Sequence, residues 1–305
     1  MISNITPETI RGKEKQRGEA ALSGSNMPVS IPQDSVDKIR ALIYKETGMF
    51  IEANKDYLIK ARLENRMTAI CSESFQEYYH NLLFGATNEI GNFIEAMTIN
   101  ETYFFRDYPQ LQGFADIVLP DYLEEKSRIG SRSLRIWSAA CSNGCEPYTL
   151  AIILQEVIDN FNEWDVRIDA NDIDRKVLQH ARIGLYDERE VKDIPSAYKS
   201  KYFTETSNGW KIRPTAARYV NFEHMNLIDN MSMRKKRDYD FILCRNVLIY
   251  FDDDSRRKVV NMFYDALAPG GYLFLGSSES VGRISAAFTL ERRSGFLSYR
   301  KPARK

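Results

Sequence analysis

The sequence predicts an α/β domain built on a parallel sheet, preceded by a small all-α domain. From about Ser131 onward, short apolar runs alternate with helical stretches, the rhythm of a parallel sheet with helices on both faces. From Ser35 to about Ile99, apolar residues recur only at three-to-four spacing, which is helical periodicity without a strand signal. The length of 305 residues accommodates two domains at roughly 150 residues each.

Residues 1–32 are polar and carry Gly18, Gly24, Pro28 and Pro32 without periodicity, so a flexible tail is expected there. The helical domain is expected over 33–105. Val36, Ile39, Leu42 and Ile43 mark its first helix. The stretch 57–67 is amphipathic: Ile59, Leu63 and Met67 fall four apart, while Lys55, Arg62 and Arg66 occupy a polar face. Residues 75–84 and 90–99 supply two further helices, and 106–130 a linker helix. The α/β domain is expected over 131–305, with strands at 134–137, 166–170, 219–222, 241–244 and 272–275. Helices are expected between them at 148–158, 175–182 and 255–267. Residues 187–222 break the alternation. There Asn208-Gly209 sits between Tyr202-Phe203-Thr204 and Trp210-Lys211-Ile212, a hairpin signal that predicts a small inserted β-element. The runs 287–291 and 295–300 predict a closing antiparallel hairpin at the sheet edge.

Composition excludes several classes. Lys plus Arg and Asp plus Glu are both 42, so the chain lacks the basic excess of a nonspecific nucleic-acid binder. No apolar run approaches the roughly 20 residues of a membrane span. Met1-Ile2-Ser3-Asn4 shows no basic stretch leading into an apolar one, so no secretory signal is read and a cytoplasmic protein is expected. Cys71, Cys141, Cys145 and Cys244 are too few for a disulfide framework in a chain of this length, and reduced thiols are expected.

Four segments carry chemistry. Leu134 to Tyr148 reads as a strand, a loop of small residues and a helix with Pro147 in its first turn. Ligands of open α/β sheets bind at such strand ends, although small residues also serve packing. With one glycine, the loop is not the dinucleotide G-x-G-x-x-G. Asp172 ends the second strand, where an acidic residue can accept hydrogen bonds from a ribose; a turn carboxylate is the plainer reading. Asp174 suits the N-cap of the following helix, with Gly184 as its stop. Arg245-Asn246 follows the strand at 241–244, and Tyr250 follows them. Asn100 to Asp107 lies between the domains, where it can form a cleft wall. Cys141 and Cys145 are spaced C-x₃-C with no nearby His, so no metal is expected.

Taken together, Asn100-x-Thr102-x-Phe104-Phe105-Arg106, Trp137 to Ser142 with Glu146-Pro147-Tyr148, Asp172-Ile173-Asp174, Cys244 to Phe251 and Leu267-x-Pro269-Gly270-Gly271 resemble the CheR family of chemotaxis methyltransferases. The resemblance runs from about Val36 to Tyr299. It implies a Rossmann-like S-adenosylmethionine-dependent methyltransferase domain with an inserted β-subdomain, behind an all-α domain. It implies methyl transfer to glutamate side chains on chemoreceptor cytoplasmic helices, giving methyl esters. Matched by motif, Asn100, Thr102 and Arg106 would line the methionine end of the cofactor or the transfer cleft. Glu146 would belong to the methionine-side loop, Asp172 would bind ribose, Asn226 and Leu227 would flank adenine, and Arg245-Asn246 would close the site. Arg106 and Tyr250 would act nearest the transferred methyl.

A glutamate with a pKa of about 4.3 is ionised at pH 7 and needs no general base, so catalysis is expected to rest on positioning and exclusion of water. Lys55, Arg62 and Arg66 resemble the family's basic helix and are expected to steer an acidic partner; a solvated charged face is the plainer alternative. Cys145 stands where the family's Gly-Glu-Glu-Pro has an acid. The short segment 186–227 implies a pentapeptide-independent mode of receptor engagement. The resemblance also implies a monomer with no metal, no nucleic-acid partner and no membrane insertion. The neutral charge and the lack of an Asn-Pro-Pro-Tyr motif count against an RNA methyltransferase. A nucleotide-binding scaffold without turnover is the non-enzymatic alternative.

Overall fold

The computed structural model describes residues 31–85, 88–282, 284–293 and 296–303. The expected N-terminal tail lies outside these residues up to Ser30, and Ile31 is already buried in the helical core.

The helical domain holds α1 (Gln33–Thr47), α2 (Asp56–Ala69), α3 (Phe75–Phe84) and α4 (Glu89–Met97). Their apolar stripes converge: Val36, Ile39, Ile59, Leu63, Met67, Tyr78 and Phe93 form one core. The three-to-four spacing read from the sequence is what puts these residues on facing stripes.

Next come α5 (Tyr108–Gly113), a π-turn (Phe114–Val118) and α6 (Leu119–Arg128). These helices correct the expectation of a linker. Leu111, Phe114, Val118, Leu119 and Tyr122 belong to the core of the α/β domain. Phe114 meets Phe241 edge-on at 5.1 Å and Phe274 at 5.5 Å. Tyr122 donates a hydrogen bond to the buried Asp240 (2.6 Å). The segment covers one face of the sheet rather than bridging two bodies.

The α/β domain runs β1 (Ser133–Ala139), α7 (Cys145–Val157), β2 (Asp165–Asp172), α8 (Arg175–Ile183), β3 (Leu185–Tyr186), α9 (Glu188–Val191), α10 (Ser196–Tyr202), β4 (Phe203–Thr206), β5 (Gly209–Ile212), α11 (Pro214–Ala217), β6 (Val220–His224), α12 (Asn230–Met233), β7 (Tyr239–Cys244), α13 (Asp253–Ala266), β8 (Leu267–Leu275), β9 (Thr289–Arg293) and β10 (Phe296–Arg300). The main sheet has the order β6-β2-β1-β7-β8-β10-β9. Its first five strands are parallel, and β10 and β9 close it antiparallel, as the closing runs predict. Ile136, Phe241, Leu243 and Phe274 face one core, while Trp137, Ile242, Cys244 and Leu273 face the other. This alternation on a sheet buried on both faces explains why the strands read as apolar runs.

The inserted element is a three-stranded sheet, β3-β5-β4. It opens at Leu185, two residues before the predicted boundary. The strand expected at 219–222 is β6 of the main sheet, so the insertion ends before it rather than at 222. From β1 the chain moves outward to β2 and β6, then returns to β7 on the other side of β1. Ligand crevices in open sheets form at such a reversal, outside the strand C-termini.

Candidate active site

The loops at the C-terminal ends of β1, β2, β6 and β7 converge with residues 97–106 and the α1–α2 connection on one cleft. It encloses about 1510 Å³ of space, counting its open mouth. Phe105, Asp107, Ala140, Ser142 and Asn246 hold left-handed backbone, five of the eight such non-glycine residues among those described. All but Asp107 line the cleft, and Asp107 pairs with a lining residue. Strain of this kind persists only where the surroundings enforce it, and it gathers at functional sites.

The loop after β1 turns sharply through Ala140, Ser142 and Gly144, all at positive φ. A Cβ on Gly144 would lie 2.9 Å from the Ala181 side chain, so glycine is needed there for space as well as conformation. The Ser142 N–H donates to Asp172 Oδ2 (2.8 Å), and the Asp174 N–H donates to Asp172 Oδ1 (3.0 Å). Asp172 is 5% exposed. Burial pushes its carboxyl up to about 6, against the lowering effect of those backbone bonds. Asp174 caps α8 through Lys176 N and Val177 N, and Gly184 ends the helix in the left-handed region.

Glu146 accepts from Ser138 Oγ (2.6 Å) and pairs with Arg245 (3.1 Å). The Arg245 side chain is 3% exposed and also pairs with Asp107 (3.1 Å), while donating to the Arg106 carbonyl. It ties β7, α7 and the 101–107 segment together. Cys145, in contrast, is absent from the cleft wall. It is fully buried in the core beneath, where burial raises its thiol far above the ordinary value. The missing acid of the family loop therefore faces the core, and Glu146 alone faces the cleft.

Segment 100–107 is pinned by Phe104, which packs edge-on against Tyr186 (4.8 Å) and Phe203 (5.0 Å) of the insertion. Its N–H donates to the Glu190 carbonyl. Phe105 and Thr102 line the cleft with Arg106. Arg106 donates to the Glu101 carbonyl (2.7 Å) and lies over the Tyr103 ring (5.9 Å). The Asn100 amide turns away to Asp174 (2.7 Å), and its carbonyl accepts from Ser142 Oγ. The Asn226 amide is committed to the Glu46 carbonyl and to Ile228 N, beside the buried Leu227.

Tyr250 lines the cleft with Asn246, Lys55 and Arg62. Burial raises the Tyr250 phenol above its ordinary value, and the nearby Arg106 and Arg62 cations oppose this only in part. At neutral pH it is a protonated donor. Lys55 ends the turn before α2 and is exposed.

Arg66 is the correction in this group. Its guanidinium is held bidentately by Glu89 of α4 (3.0 and 2.6 Å), whose carboxylate is 1% exposed and also accepts from Tyr78. Arg66 is a half-buried tie to the buried Glu89 within the helical domain and does not line the cleft.

Sequence reasoning missed Glu279. Its carboxylate accepts from the N–H groups of Asn246, Val247, Ile249 and Gly276. The available signal was a single acid in the turn-rich Gly276-Ser277-Ser278-Glu279-Ser280 after a buried strand. Among the described residues no group of three or more His, Cys, Asp or Glu is placed to hold a metal, and no helix is long and apolar enough to cross a membrane.

A crevice at the reversal of a parallel sheet, with an acidic residue ending the second strand, defines an α/β protein that binds a nucleoside-containing cofactor. Two protein-family models match it, "CheR methyltransferase, all-alpha domain" over residues 34–98 and "CheR methyltransferase, SAM binding domain" over 100–295. Chemotaxis protein methyltransferase 2 of Vibrio cholerae serotype O1 is 39% identical over 87% of this chain and 92% of its own length. A chemotaxis protein methyltransferase of Borreliella burgdorferi is 32% identical over 84% and 91%. The chain belongs to the CheR methyltransferase family and is an S-adenosylmethionine-dependent methyltransferase. The cleft suits that cofactor. Arg245 Nε and Asn246 Oδ1 are buried without partners among the described residues, a donor and an acceptor as an α-amino carboxylate requires.

Proposed function

We propose that the protein methylates glutamate side chains on the cytoplasmic helices of chemoreceptors, giving methyl esters, and that it does so in the cytoplasm as a monomer. The observation that carries this reading is the make-up of the cleft: Lys55, Arg62 and Arg106 stand on its walls with no histidine among them, and Tyr250 is held protonated. A carboxylate acceptor is drawn in by such cations and, being ionised at pH 7, asks for no base.

When bound, S-adenosylmethionine supplies a methyl group on a sulfonium. Asp172 is placed to receive sugar hydroxyls. Glu146, Arg245, Asn246, Thr102 and the Asn100 segment form the wall for the amino-acid end, and Asn226-Leu227 flank the base. Arg106 and Tyr250 orient the acceptor carboxylate and keep water out, a positioning role. Lys55 and Arg62 steer the partner helix. The small β3-β5-β4 insertion, turning at Asn208-Gly209, supports a pentapeptide-independent mode. Micromolar binding of a receptor C-terminal pentapeptide in a calorimetric titration would overturn that part.

The test of the reading is transfer of tritiated methyl to receptor-bearing membranes. Label released as methanol in alkali is expected. Alkali-stable label, or label on RNA, refutes the acceptor assignment. Tyr250→Phe is expected to slow turnover at saturating receptor, and full turnover would remove Tyr250 from the mechanism.

A further inference from the structure

Glu279 lies in the turn after β8, 7% exposed, and the mechanism above makes no use of it. Its Oε2 accepts from Gly276 N (2.6 Å) and Asn246 N (2.9 Å). Its Oε1 accepts from Val247 N (2.9 Å) and Ile249 N (3.2 Å). All four lone-pair directions of the carboxylate are thus filled by backbone donors. Three of these donors lie in the loop that carries the cleft residues Asn246, Val247 and Tyr250. Asn246 holds φ +61°, a left-handed conformation that Asn can adopt but most residues with a Cβ avoid. A Cβ on Gly276 would meet Glu279 Oε2 at 2.8 Å and Asn246 N at 2.9 Å, so the clamp closes only over glycine. From the other side, the Phe50 N–H of the helical domain donates to the Tyr250 carbonyl (2.8 Å). The loop is therefore gripped between a buried carboxylate and the helical domain.

We infer that Glu279 is a positioning residue of the methyltransferase: its carboxylate folds the 246–250 loop so that Asn246 meets the cofactor and Tyr250 meets the acceptor. The inference rests on the proposed roles of those two residues. Neutral isosteric replacement separates positioning from bulk, because Glu279→Gln keeps the volume but turns one oxygen into a donor facing two N–H groups. At least two of the four bonds are lost in either orientation of the amide.

The experiment combines hydrogen exchange with calorimetry of adenosylhomocysteine on the full chain. In Glu279→Gln the amides of Asn246, Val247 and Ile249 are expected to exchange faster than in wild type, with the rest of the sheet unchanged. Affinity for adenosylhomocysteine is expected to fall about tenfold. In an Asn246→Gly background, where glycine accepts the positive φ, the same change is expected to cost less than about threefold, since coupled residues do not add. Unchanged exchange in Glu279→Gln, or an undiminished tenfold loss in the Asn246→Gly background, overturns the inference. If Glu279→Gln does not fold, Glu279→Asp, with its shorter reach, is read by the same criteria. A wild-type chain that binds no adenosylhomocysteine would instead sink the cofactor reading, and the exchange measurement would still decide whether Glu279 holds the loop.

Discussion

Replacing Arg245 with methionine removes the charge that ties three cleft segments together. The Arg245 side chain is 3% exposed, and its partners are unequal: the Glu146 side chain is 14% exposed and that of Asp107 31%. Asp107 can turn to water, so its loss counts for little. Glu146 would keep only the hydroxyl of Ser138. Removing one partner of a buried pair costs about 3–5 kcal/mol, and the half-open Asp107 side places Arg245→Met near 3 kcal/mol. That corresponds to roughly 5 °C in the melting temperature of a chain this size. Chemical denaturation at two salt concentrations is the assay, because a buried pair is little screened and the loss should match at both. The double variant Arg245→Met/Glu146→Gln should recover more than half of it by removing the stranded carboxylate. A single-variant loss under about 1 kcal/mol, or losses that add in the double variant, would refute the buried-tie account.

Further outcomes follow from the same geometry. The Asp172 carboxyl lies near 6 in the folded chain, above the unfolded value of about 4, so this group lowers stability as pH rises from about 4 to 6. Its ionised form accepts hydroxyls, so adenosylhomocysteine affinity should strengthen across pH 5–7 and then level off; affinity flat across that range contradicts the ribose role. Arg66→Ala should destabilise by about 3 kcal/mol, because Glu89 is left buried with Tyr78 alone. The folded fraction should keep wild-type kcat, and a loss of kcat without loss of stability would return Arg66 to the cleft. Lys55→Glu should raise the receptor KM about threefold at low salt and less at 0.5 M salt, measured by initial rates; an unchanged KM would mark a solvated face.

What the sequence made legible was set by range. The main strands were readable because residues such as Ile136 and Trp137 bury both faces, and α8 because Asp174 and Gly184 cap it locally. Asp172 was legible as a cleft residue because it ends the second strand, where ligands of open sheets bind. Arg66 was misplaced because periodicity shows that a residue leaves the helix core, not that Glu89 of another helix awaits it. The 106–130 helices read as a linker because Pro109, Gly113 and Pro120 interrupt the helical pattern, whereas Phe114 is anchored by strand residues more than 100 positions away. Glu279 was missed because the turn-rich run around it does not show that three of its four donors, on Asn246, Val247 and Ile249, lie 30 or more residues earlier.

The most direct measurement is a crystal structure of the full chain with adenosylhomocysteine. The account predicts the ligand in the crevice beyond β1 and β2, with Asp172 within hydrogen-bond distance of a ribose hydroxyl and the sulfur facing Tyr250 and Arg106. A ligand bound elsewhere, or Asp172 remote from the sugar, would contradict it.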